Sequence, residues 1–202
     1  MPVEAVEIQS ADGVVVRGEL SGAGERWVLL IHDVDEDLDS LRAMQVVLLE
    51  AKFRVLAVDL RGHGASDGDW STEGAIQDVT AAISYCREAG AVKVYAIGAG
   101  AGATAVIIAA GEESLEAIVC LSPLGELEGV DPMRLRVSRA PKLLSVGAAD
   151  QEAMAAAQTV YKKVIGWRAL ESRALIEQGS ALLHAPGSEH VFEKTVSFLN
   201  DY

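Results

Sequence analysis

A series of short, unbroken apolar runs sets the strongest limit on what this chain can fold into. They are "RWVLLIHD" (26–33), "FRVLAVDL" (53–60), "VKVYAIG" (92–98), "EAIVCLS" (116–122) and "PKLLSVG" (141–147). A strand with one wet face alternates apolar and polar residues, and these runs do not, so they read as strands covered on both faces. Segments with helical spacing lie between and after them: "DSLRAMQVVLLEAK", "TEGAIQDVTAAISYCREAG", "GATAVIIAAGEE" and "QEAMAAAQTVYKKVIG". Strand and helix alternating in this way build an α/β three-layer sandwich, a mostly parallel twisted sheet with helices on both faces.

The two ends of the chain differ from this middle. "VEIQSADGVVVRGELSG" alternates on both sides of Asp12-Gly13, the pattern of an antiparallel hairpin. Near the C-terminus "GWRALESRALIEQG" reads as one more helix, "ALLHAPG" as the last strand and "FEKTVSFLNDY" as a closing helix. No repeat or low-complexity linker divides the sequence, so residues 1–202 are expected to form a single domain.

Charge narrows the partners. A net charge of −13 repels nucleic-acid phosphates and anionic membranes, which need clustered Lys and Arg. No run approaches the roughly 20 apolar residues of a bilayer span, and the first residues carry no signal-peptide pattern, so a soluble cytoplasmic protein is expected. Cys86 and Cys120 fall inside a helix and a strand with no metal-ligand spacing, and are read as buried reduced thiols. The acidic run "DVDEDLD" is read as helix-dipole support, with no metal and no cofactor expected.

Ligands in open α/β sheets sit outside the carboxyl ends of the strands. This directs attention to His32 and Asp33, to residues 59–64, to the turn Gly98-Ala99-Gly100-Ala101-Gly102, to Ser122, to Asp150 and to His190. The glycine turn has two readings. Gly98, Gly100 and Ala103 fit GxGxxA, a dinucleotide cradle, but the next strand ends in Ser122-Pro123 where a ribose-binding acid is wanted. The turn also fits a nucleophile elbow, GxSxG, with the small flanks kept and glycine at the apex. Elbow chemistry needs an acid and then a histidine further along, and Asp150 and His190 follow in that order. His32 and His63 are read as hydrogen bonders that order loops, and His184 as a residue of the last strand. Ser66 and Ser122 lie on other loops and are poor substitutes for the nucleophile.

At these motifs the sequence resembles the α/β-hydrolase family, over nearly its whole length. "DLRGHGASDG" (59–68) carries the most specific match, joined by "LLIHDVDED", "LSP", "VGAAD" and "GSEH". The short "LGELEGVDPMRLRVSRA" stands where larger members insert a lid, as in compact bacterial relatives of the dienelactone-hydrolase and small-esterase type. The resemblance implies a triad position at Gly100, Asp150 and His190, and an oxyanion hole from the backbone N–H groups of Val34 and Ala101. Asp33, where glycine is commoner, is expected to point to solvent or to tie down its loop.

Gly100 has no Oγ, so an acyl-enzyme cannot form by the family's serine route. Three functions stay open: a non-catalytic protein that binds a small molecule or a partner; an ester or lactone hydrolase with residual activity, or one whose serine was replaced by design; and a serine-independent enzyme in which His190 and Asp150 activate water or abstract a proton. The dinucleotide reading is a more remote fourth. Glycine at the apex is expected to leave the elbow relaxed and the chain more stable than its Gly100→Ser variant.

Overall fold

The computed structural model describes residues 3–202. Val3–Gln9 (β1) and Val15–Ser21 (β2) form the antiparallel hairpin, and β2 then pairs antiparallel with Arg54–Val58 (β4). Arg26–Ile31 (β3), Lys93–Ala99 (β5), Ile118–Leu121 (β6), Lys142–Gly147 (β7) and Arg168–Arg173 (β8) complete a sheet of eight strands in the order β1-β2-β4-β3-β5-β6-β7-β8. Every pair from β4 to β8 is parallel.

The helices cover both faces. Thr72–Glu88 (α2), Gly100–Ala109 (α3) and Gln151–Lys163 (α4) pack on one side with Trp27, Leu29, Ile31, Ala96 and Leu144. Arg42–Glu50 (α1) and Glu189–Asn200 (α5) close the other side over Val28, Leu30, Tyr95 and Ile97. Neighbouring residues of β3 thus feed opposite cores, which is why its sequence shows no alternation. Between β6 and β7 there is only a 3₁₀ turn, Pro132–Arg136, and no lid domain.

The C-terminal elements differ from those the sequence pattern suggests. Residues 168–173 are strand β8, paired in parallel with β7, and not a helix. Trp167, Leu170 and Ala174 happen to fall at helical spacing, but the open edge of β7 offers backbone partners that a helix could not use. The expected strand at 181–187 is instead a 3₁₀ turn, Gly179–Leu183, and a loop; its adjacent Leu182 and Leu183 are both buried against the α5 core. His184 is therefore an exposed residue after that turn and not part of a strand.

The stretch 59–68 is scaffold. Asp59 accepts from the N–H groups of Leu38 and Ala65, tying the loop after β4 to the entrance of α1. Arg61 is buried and forks onto Asp78 of α2 and Asp12 of the hairpin, with contacts of 2.8 and 2.6 Å. The Arg61 backbone N–H also donates to Asp78, as does Ser10 Oγ. Ser66 Oγ donates to the Asp59 carbonyl and accepts from the Arg17 N–H, so it is committed to structure. Breaking a buried charge pair from one side typically costs about 3–5 kcal/mol. Asp78→Ala is accordingly expected to lower unfolding free energy by about 3 kcal/mol, read as a lower urea midpoint, while Asp67→Ala, in an exposed pair with Arg17, should leave that midpoint nearly unchanged.

Candidate functional site

The chain leaves β3 toward β4 on one side and returns to place β5 on the other, so the strand order switches between β3 and β5. The crevice at such a point is where ligands bind in open α/β sheets. Asp33, just past β3, and Gly100, just past β5, face each other across it.

The turn is tight because its flanks are bare. A Cβ on Gly98 would meet the Ala103 backbone at 2.5 Å, and one on Gly102 would strike the His32 carbonyl oxygen. Gly100 itself has φ +49°, the left-handed geometry of an elbow apex, and starts α3. The space its side chain would enter is taken: a Cβ there would fall inside the Asp33 carboxylate.

Asp33 therefore does not point to solvent. Its Oδ1 accepts from the N–H of Val34 at 2.8 Å and from the N–H of Ala101 at 2.8 Å. These are the two donors that the family resemblance nominates as an oxyanion hole, and here they converge on one oxygen from the chain itself. The positive end of α3 adds to the attraction. Burial nevertheless holds the Asp33 pKa above its ordinary value, against the pull of the Ala101 and Val34 N–H groups and with a further push from nearby Glu36.

The Asp33 backbone is fixed separately. Its carbonyl accepts from His32 Nδ1 at 2.6 Å, and its N–H donates to Glu36 Oε2 at 3.3 Å. His32 Nε2 accepts from the Leu60 N–H, which assigns the proton to Nδ1 and makes the ring neutral; burial lowers its pKa accordingly. His63 repeats the arrangement, accepting from the Asp35 N–H at Nε2 and donating from Nδ1 to the Arg61 carbonyl. Both histidines order loops, as expected from their positions.

Asp150 and His190 are not brought together. Asp150 is the N-cap of α4, with Oδ1 accepting from the N–H groups of Glu152 and Ala153. His190 lies in the first turn of α5 and lines a small cleft with Ser145, Glu171, Arg173 and Lys194. No hydrogen bond joins the two, and Asp150 lines a different cavity. The cause is the position of β8: the loop that follows this last strand, residues 174–178, contains no histidine. Gly179 is what that connection sets beside Asp33 and Gly100, its ideal Cβ position lying 3.6 Å from Asp33 Oδ2.

That second cavity, about 390 Å³, opens beside Gly100 and is walled by Asp33, Ser122, Leu124, Asp150, Gln178 and Gly179 among others. Ser122 holds a left-handed φ of +49°, rare for a residue with a side chain, and its hydroxyl donates to Gln178 Oε1 at 2.7 Å. Gln178 Nε2 in turn donates to the Gly147 and Ile176 carbonyls. Gln178 and Gly179 could not be found by motif; only the position of β8 brings them here. Cys86 and Cys120 are buried free thiols whose pKa values burial pushes up to about 12, far from nucleophilic. Among the described residues no helix is long and apolar enough to cross a membrane.

A model of the alpha/beta hydrolase family matches residues 20–196. The chain belongs to the alpha/beta hydrolase family. Among solved structures, the Pyrococcus furiosus esterase Pf2001 superposes with a TM-score of 0.80 at 17% identity, over 100% of this chain and 93% of that one. The alpha/beta hydrolase GrgF from Penicillium sp. sh18 gives 0.85 at 15% identity over 100% and 99%. An esterase from Exiguobacterium antarcticum gives 0.77 at 16% identity over 96% and 99%. No curated protein matches. At these identities the likeness to solved structures establishes the fold of this family member.

Two stability measurements follow from the crowding at Gly100. Gly100→Ala should lower stability by about 1–3 kcal/mol, because the left-handed backbone and the Asp33 carboxylate both oppose a Cβ. For Asp33 the sign runs as for any acid with a raised folded pKa: the folded chain holds more protons than the unfolded one above pH 3.8, so this residue's contribution falls as pH rises through the window between 3.8 and its raised value. Asp33→Asn, whose carbonyl oxygen accepts from the same two N–H groups, should remove that fall and equal or exceed the parent in urea midpoint at pH 7.

Proposed function

We propose that this alpha/beta hydrolase family member is a small-molecule-binding protein and not a serine hydrolase. The observation that carries this reading is the Asp33 carboxylate standing in the space of the missing apex side chain, with its oxygen on the Val34 and Ala101 N–H groups. A nucleophile at residue 100 has no room beside it, and a developing oxyanion would meet a negative charge already in its place. The cavity beside Gly100 is within the usual range for a small ligand, and Asp33, Ser122 and Gln178 put polar groups on its wall.

The other readings find less support. Water activation by His190 and Asp150 wants the two in one site, and they line separate cavities. A dinucleotide pyrophosphate on the glycine turn would be repelled by Asp33 at the head of α3. Residual hydrolysis of small esters is the runner-up, because the fold is shared with esterases.

The test is covalent and kinetic together. Incubation with a fluorophosphonate probe should leave the intact mass of the protein unchanged, and His190→Ala should leave any slow p-nitrophenyl acetate hydrolysis within about twofold of the parent rate. Labelling of the parent chain, or abolition of robust turnover by His190→Ala, would overturn the reading.

A further inference from the structure

The sheet ends in two unlike edges. At one, β1 carries Glu4 and Glu7 and no basic residue, so two such edges would set acid against acid. At the other, β8 reads Arg-Ala-Leu-Glu-Ser-Arg, with both signs of charge on one short strand. The carbonyls of Trp167 and Arg173 accept from the N–H groups of Lys142 and Ala148, so the odd-numbered residues here turn their backbone groups toward β7. Arg168, Leu170 and Ser172 therefore present theirs outward, and no strand among the described residues pairs with them.

Side chains along this edge lack partners too. Trp167 at its start is 53% exposed, with one face stacked on Phe198, and Ile176 just past its end is 70% exposed. Glu171 reaches only Lys194, at 3.8 Å, and the Arg173 side chain has no hydrogen-bond or ion-pair partner among the described residues. Antiparallel pairing of two copies about a two-fold axis normal to the sheet joins residues of like face, so the axis has to pass through a residue and not between two. Centred on Glu171 or on Arg173, it would set like charges opposite one another; centred on Leu170, it would leave Glu171 facing Ala169. Centred on Ser172, it puts Glu171 of each copy opposite Arg173 of the other, on the face toward α5. The same centre lets the outward N–H and C=O of Ser172 exchange with their counterparts, and it places the Trp167 end of one strand beside the Ile176 end of the other.

We propose that β8 is a self-association edge, and that two copies of this chain pair antiparallel through it, centred on Ser172, to continue the sheet from one copy into the next. The partner is a second copy because the charge order of β8 answers itself under that axis. The contact is closed: once the two β8 edges are used, only the acidic β1 edges are left, and growth stops. The pairing does not rest on the reading of the cavity, although residues 174–178 lead from β8 to the cavity wall at Gln178 and Gly179, so it braces that wall.

Sedimentation velocity on the full chain across a range of micromolar concentrations reads the dimer directly, with circular dichroism establishing that each variant is folded. The parent should sediment at twice the mass of one chain. Glu171→Arg and Arg173→Glu should each weaken the dimer at least about tenfold, because each turns two attractive cross-strand pairs into two repulsive ones. Both changes together, E171R with R173E, should return the affinity to within about threefold of the parent, a recovery that a merely structural role for either residue would not give. Ser172→Pro, which removes an outward N–H and leaves the β7 ladder intact, should give a monomer, and the charge variants decide the matter if it does not fold. A parent that stays monomeric, a dimer indifferent to both single reversals, or failure of the exchange to restore it would overturn the proposal. Open-ended polymers would overturn it as well, since they would mean β8 meeting β1.

Discussion

Helix α3 is buried at every one of its ten residues, and the placement of everything around the crevice depends on how closely it presses against the ends of β3 and β5. That approach is possible because Gly98 and Gly102 carry no side chain where the Ala103 backbone and the His32 carbonyl pass. The apolar interior of α3 supplies the driving force, since Val106, Ile107 and Ile108 fill the core on the α2 side. The result is a helix N-terminus delivered with its first N–H groups aimed at the strand-order switch, an electrostatic feature that something negative or oxygen-bearing must meet.

In this chain the acceptor is internal. Asp33 converts a feature that elsewhere in the fold class serves a reacting oxygen into an intramolecular contact, and Gly100 leaves the volume for it. The two residues explain each other: a side chain at 100 would collide with the carboxylate, and without the carboxylate the bare apex would leave two N–H groups facing an empty crevice. Burial opposes the charge of Asp33 while two backbone donors and the helix dipole favour it, so the contact is a balance of opposed effects and not a tight clamp.

The surrounding loops are held without reference to the crevice. Asp59 fixes the entry to α1, Arg61 joins the hairpin to α2 through Asp12 and Asp78, and neutral His32 and His63 each bridge two backbone groups. Residues 59–68 are thus occupied with tying elements together.

The sequence by itself determined the parallel sheet, the hairpin and the glycine turn with its empty apex. These follow from local rules: doubly buried strands lose alternation, tight strand-to-helix turns require small residues, and an apex without Oγ cannot act as a nucleophile. Tertiary structure alone decided the rest. Residues 168–173 have helical spacing yet form a strand because β7 presents an unpaired edge, and that one element shifts which loop returns to the crevice, bringing Gln178 and Gly179 and leaving His190 elsewhere. The carboxylate of Asp33 reaches the head of α3 because β3 and β5 are neighbours in the sheet although 61 residues lie between Ile31, where β3 ends, and Lys93, where β5 begins, a pairing no local pattern encodes. Which side chains meet in the crevice is a property of strand order, and strand order is set by long-range packing.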